Sequence, residues 1–115
     1  MHELSVAQSL VELASEHVAA DGNGGVVIRV RIRIGAMSGV VPAALLSALP
    51  AAAAGTVLGK AAFDIEEVPV TIWCDACAAE RSIEGQRLRC IACGQRAARL
   101  VTGRELEIAS LEIAP

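Results

Sequence analysis

The four cysteines of this chain form two pairs of identical spacing, Cys74-Asp75-Ala76-Cys77 and Cys90-Ile91-Ala92-Cys93. Two residues between cysteines let both sulfurs of a pair turn toward one point. Two such pairs across a 12-residue loop make a four-thiolate tetrahedron, a donor set that suits zinc or iron. The competing chemistry is a pair of surface disulfides or redox couples. No basic run leading into an apolar stretch opens the sequence, which predicts a cytoplasmic protein. In that compartment thiols stay reduced, and paired cysteines are more often ligands than disulfides.

His2 is the second residue with metal chemistry to weigh. Removal of an initiator methionine needs a small second residue, so Met1 is expected to stay, with its α-amine one residue from the imidazole. That amine, the His2 amide and the His2 ring close chelate rings around one ion. Nitrogen donors in a square plane suit Ni(II) or Cu(II) rather than zinc. Glu3 can add its amide nitrogen or its carboxylate. A histidine at position 2 can equally be an ordinary terminal residue. His17, about fifteen residues and some ~22 Å further along a helix axis, is expected to be a packed or half-exposed helix residue rather than a third donor.

Composition narrows the remaining classes. Net charge is −3, with one Trp, one Phe and no Tyr, so the chain shows neither the basic surplus nor the stacking platforms of a nucleic-acid binder. The longest apolar-looking stretch, Val40 to Gly55, is too short to span a bilayer and is broken by Pro42 and Pro50. No membrane partner is expected. Without a Ser-His-Asp set, a phosphate loop or a catalytic carboxylate pair, no enzyme is expected either.

The elements that must position these residues follow from periodicity. Leu4, Ala7, Leu10, Val11, Ala14 and Val18 recur at helical steps and predict an amphipathic helix over 4–20, with Ser5 and Gln8 matching a capping box. Asp21 to Gly25 ends it. From Val26 to Gly35, Ile28, Val30, Ile32 and Ile34 alternate with Arg29, Arg31 and Arg33, a strand with one apolar and one basic face. Pro42 opens a second helix through Leu49, which Pro50 interrupts. Ala61 to Val68 reads as a second strand, with Phe63 and Ile65 inward and Asp64 and Glu66 outward; Arg104 to Ile113 reads as a third. Pairing of the three arginines with Asp64, Glu66, Glu105 and Glu107 predicts that their strand is central. The fold class is therefore α+β: a small sheet of about three strands packed by two helices, with an inserted four-cysteine, zinc-ribbon-like module. Residues 1–68 and 102–115 make the first unit and 69–101 the insert. Trp73, just before Cys74, is expected to cover the metal knuckle as an apolar lid.

Several segments together resemble a known family. Met1-His2-Glu3-Leu4-Ser5 opens a helix, Ile34-Gly35-Ala36-Met37-Ser38-Gly39-Val40 follows a strand, and then come Gly55-Thr56, the paired cysteines with Gly94, and Glu105-Leu106-Glu107-Ile108. In this order they are similar to the HypA/HybF family of hydrogenase nickel-insertion accessory proteins. The resemblance implies a nickel domain holding the N-terminus and a zinc domain holding four cysteines. It implies nickel delivery to the large subunit of nickel–iron hydrogenase alongside a HypB-like GTPase, with urease maturation as a further client in some members. By position, His2 becomes the essential nickel ligand and Glu3 its neighbour, while Cys74, Cys77, Cys90 and Cys93 become structural zinc ligands. Two departures stand out: Ser47-Ala48-Leu49-Pro50 replaces an aromatic-rich stretch, and Ala78 replaces the glycine usual after the first pair. The zinc loop also carries no histidine.

On this reading the two sites differ in lability. Four thiolates close the coordination shell of zinc and make it part of the fold, while terminal nitrogen donors exchange. Nitrogen donors bind metal only after losing their protons, so nickel affinity is expected to fall below neutral pH. The alternatives are a zinc-ribbon interaction module, which gives His2 no task, and a rubredoxin-like iron protein, which expects an aromatic pocket that this chain lacks.

Overall fold

A computed structural model describes residues 2–22, 24–84 and 87–114. The chain runs α1 (Glu3–Asp21), β1 (Val26–Gly35), α2 (Pro42–Ala53), β2 (Ala62–Val68), β3 (Val70–Cys74), β4 (Ala79–Ile83), β5 (Arg99–Thr102) and β6 (Leu106–Ala114). Two three-stranded sheets result, ordered β2-β1-β6 and β4-β3-β5. The first is mixed, with β1 parallel to β2 and antiparallel to β6. The second is wholly antiparallel.

Each sheet has its own core. Ala7, Leu10, Val11, Ala14 and Val18 of α1 meet Leu45, Leu49 and Ala53 of α2 and Val27, Val30, Ile32 and Ile34 of β1. A separate cluster joins Val70, Ile72, Cys74, Ile83 and Cys90. The radius of gyration, 17.2 Å, exceeds the roughly 13 Å of a compact domain of this size, as expected for two bodies set end to end.

The arginine strand is central, and its charges are met from both neighbours. Arg29 pairs with Asp64 and Glu112, and Arg33 with Glu66 at 2.7 Å and Glu107 at 3.1 Å. Glu105 does otherwise: it precedes β6 and accepts the Gly103 N–H at 2.8 Å. Ile28, expected inward, is 46% exposed. The register jumps between Val27 and Arg29, so Ile28 is the extra residue of a β-bulge, and the inward phase passes from Val27 to Val30.

Two further boundaries differ from the sequence reading. α1 starts at Glu3 with His2 as its N-cap, so Ser5 lies inside the first turn and no side chain caps the helix. α2 runs through Pro50 to Ala53. An interior proline costs about 3 kcal/mol in an isolated helix. Here Leu45, Leu49 and Ala53, all fully buried, carry the apolar face across it, and Leu46, whose carbonyl Pro50 cannot bond, lies on the exposed side.

The joint between the sheets is narrow. Gly35 packs against the backbone of Gly103 so closely that any Cβ would overlap it. The Gly35 N–H bonds to Glu105 O, the Ala36 N–H to Val68 O and the Met37 N–H to Gly103 O, pinning both connections between the sheets to one turn. Thr102 Oγ1 donates to Pro69 O at 2.8 Å and ties those connections to each other.

Candidate metal centres

The pairing of β3 with β4 brings Cys74 opposite Ala79, and the turn between them carries Cys77. The second pair sits on a narrow hairpin: Cys90 N–H bonds to Gln95 O and Gly94 N–H to Cys90 O, both at 2.8 Å. Four sulfurs converge, all within 4.8 Å of one another. The Cys74–Cys93 and Cys77–Cys90 sulfurs lie 3.6 and 3.8 Å apart, far beyond a disulfide bond. A tetrahedron with zinc–sulfur bonds of about 2.3 Å has edges of about 3.8 Å, so the cluster fits a zinc ion.

The thiols also behave as a crowded set. Backbone N–H groups of Cys93 and then Ala92, acting against burial, draw the Cys90 thiol down to about 6. The Gln95 N–H pulls on Cys93 in the same direction, but burial and the sulfurs of Cys74, Cys77 and Cys90 outweigh it and hold that thiol at about 12. The two thiols of the second pair are thus pushed in opposite directions, Cys90 by backbone N–H groups and Cys93 by its neighbouring sulfurs.

Arg81 was not legible as a site residue. It stands on β4 opposite Ile72 and shares the inner face of Ile83. Its guanidinium lies near enough to the sulfurs of Cys77 and then Cys90 for those two groups to be the main causes of its raised pKa. Its Nε is buried with no hydrogen-bond partner. A positive group therefore lies against two of the four sulfurs. Trp73, by contrast, is not a lid. Strand alternation turns it away from Ile72 and Cys74, its indole N–H bonds to Asp75 at 2.9 Å, and Arg99 lies over its ring.

The two cysteine turns differ at one residue. After Cys93, Gly94 adopts φ +75°, whereas after Cys77 the same left-handed conformation, φ +51°, falls on Ala78. An L-residue with a Cβ is disfavoured there by about 1–2 kcal/mol.

At the start of α1, His2 is exposed, and its carbonyl accepts the first helical bond, from Val6 at 3.1 Å. The amides of His2, Glu3, Leu4 and Ser5 precede that bond and have no intrahelical acceptor. A metal that displaces one of these amide protons breaks no helical hydrogen bond. Glu3 Oε1 accepts the Val41 N–H at 3.3 Å, so its carboxylate anchors the start of α1 to the N-cap of α2. The Met1 amine lies outside the described residues. His17 lines a groove with Leu10, Leu13 and Ala14 against β6, well along the helix from His2.

A two-helix mixed sheet carrying an inserted four-sulfur module defines a class of small metal-handling protein. The sequence matches the family model described as hydrogenase/urease nickel incorporation, metallochaperone, HypA, over residues 1–113, and the chain belongs to that family. It is 46% identical over 113 residues to the hydrogenase maturation factor HypA of Roseiflexus sp. (strain RS-1), covering 97% of this chain and 91% of that protein. Against the corresponding factor of Chloroflexus aggregans it is 44% identical, covering 97% and 98%. The fold matches the solution structure of the nickel metallochaperone HypA from Helicobacter pylori with a TM-score of 0.68 and 26% identity, covering 98% of this chain and 97% of that one. A second HypA solution structure matches with a TM-score of 0.71 and 27% identity, covering 99% and 97%. No helix among the described residues is long and apolar enough to cross a membrane.

Proposed function

We propose that this protein is a nickel metallochaperone that binds Ni(II) at its N-terminus and delivers it to the large subunit of nickel–iron hydrogenase. The single observation that carries this reading is the family match, which begins at residue 1 and so includes the His2–Glu3 start. The Met1 α-amine, His2 and Glu3 hold the nickel. His2 leads, because its ring is exposed beside amides with no helical acceptor. The Glu3 carboxylate, engaged at Val41, orients the first turn, leaving its amide as the metal-facing group. Cys74, Cys77, Cys90 and Cys93 hold a structural Zn(II), which supplies fold stability rather than cargo; the convergence of their sulfurs supports this. The separate cores support a nickel-binding unit of residues 1–68 and 102–115 and a zinc-binding unit of 69–101.

The partners are the hydrogenase subunit, a HypB-like GTPase and, where urease is a client, its maturation proteins. The protein makes and breaks no substrate bond, so it is not an enzyme, and it works in the cytoplasm without nucleic acid or membrane. An iron-carrying or plain zinc-ribbon role is not favoured, since neither accounts for the family match across the nickel end. The test is a Ni(II) titration of zinc-loaded, untagged protein beside His2→Ala. One nickel per chain, lost in the variant while zinc stays, supports delivery; unchanged nickel binding removes the N-terminal site.

A further inference from the structure

The arginines of this protein are not employed alike. Arg29, Arg31 and Arg33 face carboxylates, Arg81 faces sulfur and Arg99 lies over Trp73. Arg87, Arg89 and Arg96 have no such counterpart: among the described residues, none has a carboxylate within 4.0 Å. All three are exposed, and with Leu88 and Ala97 they line one open concavity of about 670 Å³.

Backbone geometry sharpens the point. Arg89 and Arg96 form an isolated antiparallel bridge, flanked by bonds from Ala97 N–H to Leu88 O and from Cys90 N–H to Gln95 O. Those flanking bonds make the two arginines a non-hydrogen-bonded pair, in which opposed side chains stand closest, with Cα atoms about 4.5 Å apart. Like charges directly opposite each other destabilise a sheet. Arg89 is further fixed by a bond from Nη1 to Gly94 O at 3.3 Å. The fold thus sets two cations face to face and adds a third, with no carboxylate among the described residues within 4.0 Å of any of them.

The size and charge of the surroundings select the anion. Residues 69–101 carry five arginines against Asp75, Glu80 and Glu84, a balance of +2, whereas the whole chain is −3, leaving −5 for the remainder. A long polyanion such as a nucleic acid would meet that acidic remainder, while a short segment would not. The concavity is wider than one small anion requires, and Leu88 and Ala97, which pack against the second core, line it beside the arginines.

We propose that Arg87, Arg89 and Arg96 form a clamp for an extended acidic peptide segment of a partner protein, with a carboxylate bridging the Arg89–Arg96 pair. Guanidinium groups bind carboxylates through paired, charge-assisted bonds, which suits this arrangement. The bridge closes the hairpin that carries Cys90 and Cys93, so the four-sulfur site sets the spacing of the clamp. The clamp does not involve the N-terminus, so its failure would leave nickel delivery standing.

The test is an amide chemical-shift titration of zinc-loaded protein with an octapeptide of alternating Glu and Ala, its Gln counterpart and inorganic phosphate. Shifts around residues 87–97 with the Glu peptide only are expected, weakening as salt rises from about 50 to about 300 mM. R89Q/R96Q should lose at least about tenfold in affinity, R89K/R96K less, and R104Q nothing. Zinc content, measured for every variant, separates lost binding from a lost fold. Equal binding of the Gln peptide, equal binding by R89Q/R96Q with zinc retained, or shifts from phosphate alone would each overturn the proposal.

Discussion

In the second sheet four sulfurs face one another across less than 5 Å, with the Arg81 guanidinium near two of them; beside the first sheet, His2 stands exposed at the start of a helix. The first arrangement has the four sulfurs that would close the coordination shell of a zinc ion. The second lies among amides that no helical bond has claimed. On the proposed function, the difference is between a metal retained as part of a fold and a metal held so that it can leave.

Four experiments break or sharpen that contrast, with effects that should descend in size. Cys90→Ser should be the most damaging. The second core holds five buried residues, two of them cysteines, and structural zinc contributes about 10–16 kcal/mol in small zinc-folded peptides. Amide spectra should show the β4-β3-β5 sheet lost while signals of the helices persist; a retained second sheet would show that the sulfurs are not its main support. Next, acidification from about pH 7.5 to about pH 6 should weaken nickel at least tenfold while zinc stays, because terminal nitrogen donors compete with protons for the metal. Calorimetry showing equal nickel affinity at both pH values would contradict that donor set.

A smaller effect is expected from Arg81→Gln. Removing the cation beside Cys77 and Cys90 should speed zinc transfer to a chelator about three- to tenfold without changing the zinc content at rest. Unaltered transfer kinetics would reduce Arg81 to a packing residue. Ala78→Gly should do least. It relieves the left-handed alanine but loosens the unfolded chain, so thermal unfolding of the zinc-loaded protein should gain about 1 kcal/mol at most. A loss of stability would mean that Ala78 is at ease in its turn.

Much of this contrast was readable before any coordinates. The cysteine spacing named its own ligand set because two residues between sulfurs leave little else for four of them to do. The alternation of Arg29, Arg31 and Arg33 against Asp64, Glu66 and Glu107 placed β1 in the middle of its sheet, since only a central strand finds acids on both sides. What stayed hidden depended on single residues without a periodic partner. Ile28 obeyed the alternation but sat at a bulge, which pattern cannot locate. Pro50 signalled a break that buried Leu49 and Ala53 overrode. A lone arginine on a strand carries no spacing signal, so Arg81 was missed. Trp73 was misplaced because nearness in sequence to Cys74 says nothing about which face of the strand a side chain takes.

The joint at Gly35 has a consequence for how the chain assembles. β1 cannot gain its second neighbour until residues beyond 105 return from the far sheet, a detour of about 37 residues by the usual measure of loop closure. Once the sulfur-bearing segment has folded, the Thr102–Pro69 hydrogen bond brings the two ends of that detour together, leaving only a few residues to close. By the logarithmic law of loop closure this spares β6 about 2 kcal/mol of chain entropy. An ion held by the second sheet thereby shortens the search that completes the first.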